Sequence, residues 1–366
     1  MTQPLRIAID ARELAGHITG VGIYVLHLLR EWLPRDDVRV SLISHRELSP
    51  DVSAVPGIDR AHRIVRPDRT GGTMWEQLAL PGTATAAIAD VLFAPAYSAP
   101  LRTSLPSVVA IHDVSFAAHP EWFRPRERMR RNFITPRSAR RARAVVTISE
   151  FSAREIEMHL GVPRERIHVI PPGAPERHGA PMPIASRDPL VVFVGSIFNR
   201  RHVPDLIAAF ALAVREHPQA RLLIAGANRT WPHEDIPAII AASGAAANIT
   251  WLDSPSSARI ADALSRASAG AFLSEYEGFA LTPFEALAHA VPSVMLDTPV
   301  AREVYGDAAV YVQRGDVAGT AAALSRLLGD PAERAAIVDR AAPLWARYDW
   351  TRAAADTLDV LREAAR

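Results

Sequence analysis

The most constraining feature of this sequence is a regular alternation of short apolar segments with amphipathic ones in its second half. The apolar segments predict strands at Leu190–Val194, Arg221–Ala225, Ile249–Leu252, Ala269–Leu273, Ser293–Leu296 and Ala309–Val312. Helical patterns lie between most of them, for example Val203–Glu216 and Ser256–Ala267. Strands that alternate with helices at this spacing indicate parallel βαβ units with right-handed crossovers. We therefore expect an α/β fold built on doubly wound parallel sheets.

The first half alternates in the same way, less cleanly. Its predicted strands are Leu5–Ile9, Val38–Ile43, Val91–Ala94, Ser107–Ile111, Ala144–Ile148 and Ile167–Ile170. Its predicted helices are Gly22–Trp32, part of Met74–Ala89, Arg126–Ala142 and Ser149–His159. Prolines at 171, 172, 175, 181, 183 and 189 indicate a semi-rigid linker between the halves.

The domain organisation follows from these patterns. We expect an N-terminal domain over residues 1–172, a linker over 173–189 and a C-terminal domain over 190–345. Residues 346–366 are expected to form a helical tail that packs back on the first domain. Two doubly wound domains joined by a linker leave a cleft, which is the usual place for a large ligand.

Composition excludes several function classes. The 366 residues carry a net charge of +1, so no global field favours nucleic acid or membrane. There is no cysteine, which excludes disulfides, thiolate chemistry and cysteine–zinc sites. The N-terminus lacks the plan of a signal peptide, and no apolar run approaches the ~18 residues of a membrane span. We expect a cytoplasmic protein.

Two carboxylates bracket a predicted strand-to-helix joint. Glu277 follows the strand Ala269–Leu273, and Glu285 lies in a helix predicted to begin near Pro283 and to stop before Pro292. Ligands bind at such joints in open α/β sheets, because free N–H groups and the positive helix end face them. Thr282 to Glu285 also fits a capping box, so Glu285 could instead cap the helix. Glu277 has no such structural role and needs a partner or water.

A second candidate lies after the first strand of the second half. Gly195 and Ser196 form a glycine turn, and Arg200 and Arg201 follow before a helix. Guanidinium groups donate two parallel hydrogen bonds to phosphate oxygens, so this turn suits a diphosphate. The alternative is a solvated loop in an arginine-rich chain.

Two further candidates lie in the first half. Gly22 belongs to a glycine turn at a helix start, and this turn lacks the third glycine of the dinucleotide fingerprint. Either its backbone comes close to a ligand, or it is a flexible turn that leads into the helix. His112 and Asp113 close the strand Ser107–Ile111, where a histidine can bind a sugar hydroxyl or phosphate or transfer a proton. The alternative for this His-Asp sequence is a hydrogen-bonded turn.

A basic segment and the absence of a metal-binding motif also bear on function. Residues 124–143 hold nine arginines interleaved with apolar side chains. This pattern fits either contact with anionic lipid or a phosphorylated acceptor, or a solvated basic face. No Asp-x-Asp pair occurs, so the usual carboxylate motif for a metal is missing. We therefore expect no metal and no cofactor.

Taken together, the motifs resemble retaining family four glycosyltransferases, the glycogen synthase and mannosyltransferase-like group 1 enzymes of GT-B architecture. The matching pieces occur in the family's order: Thr19–Gly22, Ile111–Asp113, Thr147–Ser152, Val169–Gly173, Phe193–Ser196, Leu223–Gly226, and Glu277–Phe279 with Glu285. This resemblance implies two Rossmann-like domains that face each other across a cleft. It is specific to the superfamily and not to one sugar.

The resemblance also implies roles for individual residues. Glu277 would touch hydroxyls of the donor sugar, and His112 would lie near the reacting sugar, which makes these two the catalytic candidates. Glu285 would hold the ribose of the nucleotide. The donor-binding set implied by the resemblance is Gly22, Ser196, Arg200, Arg201, Gly278, Phe279, Ala280, Leu281 and Glu285. The family usually has lysine where Arg201 stands and glycine where Ala280 stands.

The resemblance implies a hexosyltransferase that uses a nucleoside-diphosphate sugar and a glycan, lipid-linked or small-molecule acceptor, as in polysaccharide biosynthesis. Mannose on GDP is the first expectation for the donor, and glucose or a related hexose on UDP the second. The alternatives are an epimerase or phosphorylase of the same fold, or a non-catalytic protein that binds sugar nucleotides. Nucleic acid is not expected as a partner. For residues 124–143, peripheral contact with the inner face of an anionic membrane and a solvated basic face are both left open.

Overall fold

The computed structural model describes residues 3–67, 72–177 and 182–366. The chain divides into two compact units. Unit 1 comprises Met1–Pro120, Pro125–Gly173 and Tyr348–Arg366, and unit 2 comprises Glu121–Arg124 and Ala174–Arg347. Part of the predicted linker, residues 178–181, lies outside the described residues.

Thirteen strands occur among the described residues. They are β1 Leu5–Asp10, β2 Val38–Ser44, β3 His62–Val65, β4 Val91–Ala94, β5 Ser107–Ala110, β6 Ala144–Thr147, β7 Ile167–Val169, β8 Asp188–Val194, β9 Arg221–Ala225, β10 Ile249–Leu252, β11 Ala267–Phe272, β12 Ser293–Leu296 and β13 Val310–Val312. All observed strand pairs are parallel. Unit 1 has the strand order β3-β2-β1-β4-β5-β6-β7, and unit 2 has the order β10-β9-β8-β11-β12-β13.

Helices connect these strands. They are α1 Gly20–Trp32, α2 Gly72–Leu78, α3 Leu80–Ala86, α4 Ser115–Ala118, α5 Pro125–Arg141, α6 Glu150–Leu160, α7 Val203–Glu216, α8 Ile236–Ala242, α9 Ser257–Arg266, α10 Leu281–Ala288, α11 Pro299–Tyr305, α12 Val317–Gly329, α13 Pro331–Arg340, α14 Ala342–Arg347 and α15 Trp350–Ala364. Both sheets reverse their strand order beside the first strand of the unit, which is where open α/β sheets bind ligands. The predicted α/β fold with two doubly wound parallel sheets is confirmed.

Each unit has its own apolar core. In unit 1, α1 and α15 pack on the sheet, and Trp32 is buried and donates its indole N–H to the carbonyl of Ala354 at 2.9 Å. Trp350, at the start of α15, stacks on His27 of α1 with ring centroids 4.2 Å apart. In unit 2, buried Phe193 and Phe210 join β8 and α7 in one cluster. Each such side chain contributes about 1.5–3 kcal/mol by its removal from water.

Strand β3 was not among the predicted strands. This strand lies at the edge of its sheet, and His62 and Arg63 are exposed, so it lacks the apolar run that marks the buried strands. The single helix predicted within Met74–Ala89 is observed as two, α2 and α3, which meet at Ala79. No helix of the described residues is both long enough and apolar enough to cross a membrane.

Candidate functional site

A group of polar side chains in unit 2 converges on the turn that follows β8. Gly195 has φ +119°, and a Cβ at this position would lie 2.4 Å from Nη1 of Arg201 and 3.9 Å from Oγ1 of Thr282. We call Gly195, Ser196, Arg201 and Thr282 the Gly195 cradle. A side chain at residue 195 would be strained and would displace the guanidinium group. Glycine therefore lets a cation and a hydroxyl group approach the same stretch of backbone.

Arg201 is fixed within this cradle by an ion pair. Its Nε and Nη2 lie 3.0 Å from Oε1 of Glu277, and its Nη1 donates to the carbonyl of Ser196 at 3.2 Å. The two side chains are 17% and 15% exposed. Sequence reasoning required a partner for Glu277, and the partner is Arg201, 76 positions away. The arrangement places a guanidinium group, held by a carboxylate partner, at the carboxyl edge of the sheet.

Arg200 is held differently. Its guanidinium lies 4.4 Å from the ring centroid of Phe198, and its backbone carbonyl accepts the N–H of Glu275 at 2.9 Å. Its buried Nε has no hydrogen-bond partner among the described residues. A buried donor without an acceptor is costly, and an anionic ligand oxygen would remove that cost. Arg200 therefore fits the predicted phosphate-binding role.

The predicted capping box is wrong. Helix α10 begins at Leu281, two residues before Pro283, and its N-cap Ala280 has no side-chain capping bond. Ala280 is in the left-handed region with φ 62° and ψ 72°. Glu285 therefore lies beyond the first turn and cannot cap it, and the N-cap residue itself supplies no side-chain acceptor. This end of α10 carries the positive end of the helix dipole.

Glu285 is a half-buried carboxyl group beside the apolar side of α10. Burial of the carboxyl group raises its pKa from 4.5 to about 7. A carboxyl group with this environment is stabilised only when a ligand donates hydrogen bonds to it or when it holds a proton. Such perturbed groups concentrate at functional sites.

Two of the predicted donor-binding residues have no side chain available to a ligand. Phe279 is 2% exposed and stacks with Phe284 at 6.2 Å, so its side chain belongs to the core. Gly278 is buried as well. These residues can contribute backbone groups only, whereas Leu281 is half-buried and supplies the first N–H of α10.

The predicted residues of unit 1 lie at the carboxyl edge of its own sheet. His112 follows β5 and is 9% exposed, with Nε2 2.9 Å from the carbonyl of Pro95. Because a carbonyl only accepts, Nε2 carries the hydrogen and Nδ1 is left as an acceptor. Burial lowers the pKa of His112, against the Pro95 contact and the charge of Asp113. The ring is therefore a neutral imidazole of fixed tautomer.

Gly22 has a packing role. A Cβ at Gly22 would lie 2.5 Å from the carbonyl oxygen of Glu13 and 2.7 Å from Cγ2 of Ile18. The absent side chain is thus required by contacts within unit 1, and approach of a ligand to this backbone stays a prediction. At Gly20, the first residue of α1, such a Cβ would meet no described atom within 4 Å beyond its chain neighbours and the backbone of its own helix.

Sequence reasoning missed the supporting residues. Glu275 lies 3.2 Å from Nε2 of His202 and 2.6 Å from Nη1 of Arg314, which ties three loops at one sheet edge together. Its place two residues before Glu277 was the available signal. Thr282 was interpreted only as a helix cap, although its hydroxyl belongs to the cradle. No local signal connects Glu275 with Arg314, because they follow different strands.

Comparison with known families decides what this architecture is. A model described as glycosyl transferases group 1 matches residues 176–343, and a model described as glycosyltransferase family 4 matches residues 18–177. The chain belongs to the group 1 and family 4 glycosyltransferases. The resemblance inferred from the motifs is confirmed.

Two relatives of this glycosyltransferase transfer mannose according to their names. The MMP alpha-(1->4)-mannosyltransferase of Mycolicibacterium hassiacum is 27% identical over 280 residues, which cover 72% of this chain and 66% of that protein. The O-antigen chain mannosyltransferase B of Escherichia coli is 23% identical, and the match covers 70% of each chain.

A solved structure shows the same fold. The crystal structure of Anabaena Alr3699/HepE in complex with UDP and glucose has a TM-score of 0.76 and 18% identity, with 98% of this chain and 100% of that chain covered. The glycosyltransferase therefore has the GT-B fold.

Proposed function

We propose that the glycosyltransferase transfers a hexose from a nucleoside-diphosphate sugar to a glycan, lipid-linked or small-molecule acceptor with retention of configuration. Mannose on GDP is the first choice of donor, and glucose or a related hexose on UDP the second. The observation that carries the proposal is the Gly195 cradle, in which Arg201 is fixed against Glu277 beside the uncapped start of α10. Two mannosyltransferase relatives support the sugar, and the UDP and glucose of the Anabaena structure support a nucleotide-sugar donor.

The electrostatics suit a diphosphate. Arg201 and Arg200 supply two positive charges, and the buried Nε of Arg200 lacks an acceptor that a phosphate oxygen provides. The first-turn N–H groups of α10 add donors at the positive end of the helix dipole. Helix starts with free donors are common anion-binding sites. In this proposal the arginines carry the charge that a divalent cation carries in other enzymes, so transfer is metal-independent and needs no cofactor.

Cleavage of the anomeric bond builds positive character on the sugar and negative charge on the leaving diphosphate. Donors that are already fixed stabilise the leaving group without reorganisation, and one such donor is worth about 3–4 kcal/mol in other enzymes. The ion pair with Glu277 keeps Arg201 in place before the donor arrives. Retention then requires the acceptor to attack from the face that the diphosphate leaves.

The remaining predicted residues bind the donor sugar and nucleotide in this proposal. Glu277 accepts hydrogen bonds from sugar hydroxyls while it orients Arg201. Glu285 accepts them from the ribose, which would compensate the burial of its carboxylate. The role of His112 near the reacting sugar is carried over from the family resemblance, and its unprotonated Nδ1 is an acceptor suited to a hydroxyl.

We also propose that helix α5 contacts an anionic membrane surface. Residues 124–143 have a net charge of +8, and most of their arginines are exposed. Met129 and Phe133 lie one turn apart on α5 and are 71% and 54% exposed. Apolar side chains between solvated arginines are typical of helices that lie in the headgroup region. A lipid-linked acceptor would be presented at that surface.

Steady-state transfer from GDP-mannose and UDP-glucose to a panel of sugar acceptors tests the function. Arg201→Ala should lower kcat/KM by about 10²- to 10³-fold, because it removes a fixed donor and leaves Glu277 unpaired. Arg201→Lys should retain much more activity, since it keeps the charge. Arg326→Ala, which removes an exposed ion pair with Glu333 in the same unit, is the matched control and should be unaffected.

The alternatives give different results in the same assay. Conversion of the sugar nucleotide into its epimer, without an acceptor and without net release of the nucleotide, would favour an epimerase, and dependence on inorganic phosphate would favour a phosphorylase. Binding of nucleotide sugar without transfer to any acceptor would indicate a non-catalytic protein. Full activity of Arg201→Ala would refute the assignment of the donor site.

A further inference from the structure

Tyr305 makes a contact that reaches the start of α10 from the core of unit 2. It is the last residue of α11 and is 1% exposed. Its ring packs on Phe284 with centroids 5.4 Å apart, and its hydroxyl donates a hydrogen bond to the carbonyl of Ala280. Ala280 is the residue at which the chain turns into α10.

The turn at Ala280 is unfavourable for an alanine. Its φ of 62° lies in the left-handed region, where Cβ crowds the neighbouring backbone. Glycine adopts this conformation without that penalty. The left-handed turn of this chain must therefore be held by contacts, and the hydrogen bond from Tyr305 is one that acts on the turn directly.

The hydrogen bond to the Ala280 carbonyl also constrains a backbone donor, the N–H of Leu281. In a trans peptide the C=O and N–H groups lie in one plane and point in opposite directions. Since the Ala280 carbonyl points to Tyr305, the N–H of Leu281 in the same peptide points the other way. It is the first N–H of α10, and the neighbouring Thr282 belongs to the Gly195 cradle. The buried hydroxyl thus bonds to the same peptide group that supplies a donor at the helix start.

We propose that Tyr305 is a positioning residue of the donor site, which acts through Ala280 and allows an alanine to occupy a turn suited to glycine. The inference rests on the proposed binding of a nucleoside diphosphate at this site. It adds a residue that contacts the turn and not the ligand. Its hydroxyl is needed because of the alanine, so a glycine at residue 280 should make that hydroxyl dispensable.

Four variants of the full-length chain test the coupling: Tyr305→Phe, Ala280→Gly, their combination, and Tyr311→Phe as control. Tyr311 also donates its hydroxyl to backbone carbonyls, those of Ala301 and Gly306 at 3.1 and 2.8 Å, without touching residue 280. Calorimetry gives the Kd for GDP and UDP, and initial rates give KM and kcat for the donor. Melting temperatures report stability separately.

Tyr305→Phe should raise the Kd for the diphosphate and the KM for the donor about three- to tenfold, the usual effect of one lost hydrogen bond. Ala280→Gly should bind at least as tightly as wild type. In the Ala280→Gly background the same Tyr305→Phe change should alter the Kd less than about twofold, because glycine holds the turn unaided. Tyr311→Phe should leave the Kd unchanged.

Several outcomes overturn the inference. These are an unchanged Kd in Tyr305→Phe, an equal loss with alanine and glycine at residue 280, or an equal loss in Tyr311→Phe. If Tyr305→Phe does not fold, Ala280→Gly alone tests the inference. A lower melting temperature or weaker binding of GDP and UDP in Ala280→Gly than in wild type would show that the turn at residue 280 is not strained. Failure of wild type to bind GDP and UDP would overturn the proposed function as well. Normal wild-type binding with unaffected variants overturns this inference alone.

Discussion

The environment of Glu285 predicts a pH-dependent stability that one substitution should remove. Burial raises the pKa of this carboxyl group from 4.5 to about 7. Between these values the folded protein holds a proton that the unfolded chain has lost. Stability contributed by the protonated form is therefore present at low pH and disappears as the pH rises through 7. One pKa unit corresponds to about 1.4 kcal/mol, so the loss amounts to roughly 3 kcal/mol above pH 8.

Glutamine at this position keeps the shape and cannot ionise. We expect Glu285→Gln to be more stable than wild type by about 1 kcal/mol or less at pH 5 and by about 3 kcal/mol at pH 8.5. In a unit of this size that difference raises the melting temperature by roughly 6–12 °C. Calorimetric melts at half-unit pH intervals from 5 to 9 measure it directly. Glu216→Gln, at the exposed end of α7, is the control and should give no pH-dependent difference.

The same carboxyl group should link donor binding to protons. If ribose hydroxyls donate to the Glu285 carboxylate, nucleotide binding favours the ionised form and releases a proton near pH 6.5. Calorimetry in buffers of different ionisation enthalpy detects that proton, and Glu285→Gln should abolish its release. A stability difference that is constant from pH 5 to 9 would refute the reasoning, because it would show that Glu285 stays ionised throughout.

Two further predictions concern unit 1. Gly22→Ala should lower the free energy of unfolding in urea by about 1–3 kcal/mol, because the new Cβ would lie 2.5 Å from a carbonyl oxygen. Gly20→Ala is the control and should leave the free energy of unfolding unchanged, because its Cβ would point into open space. Equal effects of the two substitutions would contradict the packing role of Gly22. Sedimentation with phosphatidylglycerol vesicles should show binding that weakens with salt and is reduced when Met129 and Phe133 are both replaced by serine. Equal binding to neutral vesicles at all salt concentrations would exclude the membrane contact.

The buried strands were predictable from sequence for a physical reason. Strands covered on both faces are largely apolar, as Val91–Ala94 and Ser293–Leu296 are, and both have the predicted bounds. The edge strand β3 is covered less and was missed. The start of α10 was misplaced for another reason. Local capping rules favour Thr282 to Glu285, but a contact with Tyr305, 25 positions away, accompanies an earlier turn at Ala280.

The sequence by itself determined the alternation of strands and helices, the glycine turn at residue 195 and the candidate residues at strand ends. These depend on interactions within a few residues, which short patterns record. Only the tertiary structure decided that Glu277 pairs with Arg201, that burial raises the pKa of Glu285, and that the side chain of Phe279 belongs to the core. The physical reason is that charge pairing and burial depend on which strand ends the sheet order places side by side, and that order is not a local property of the chain.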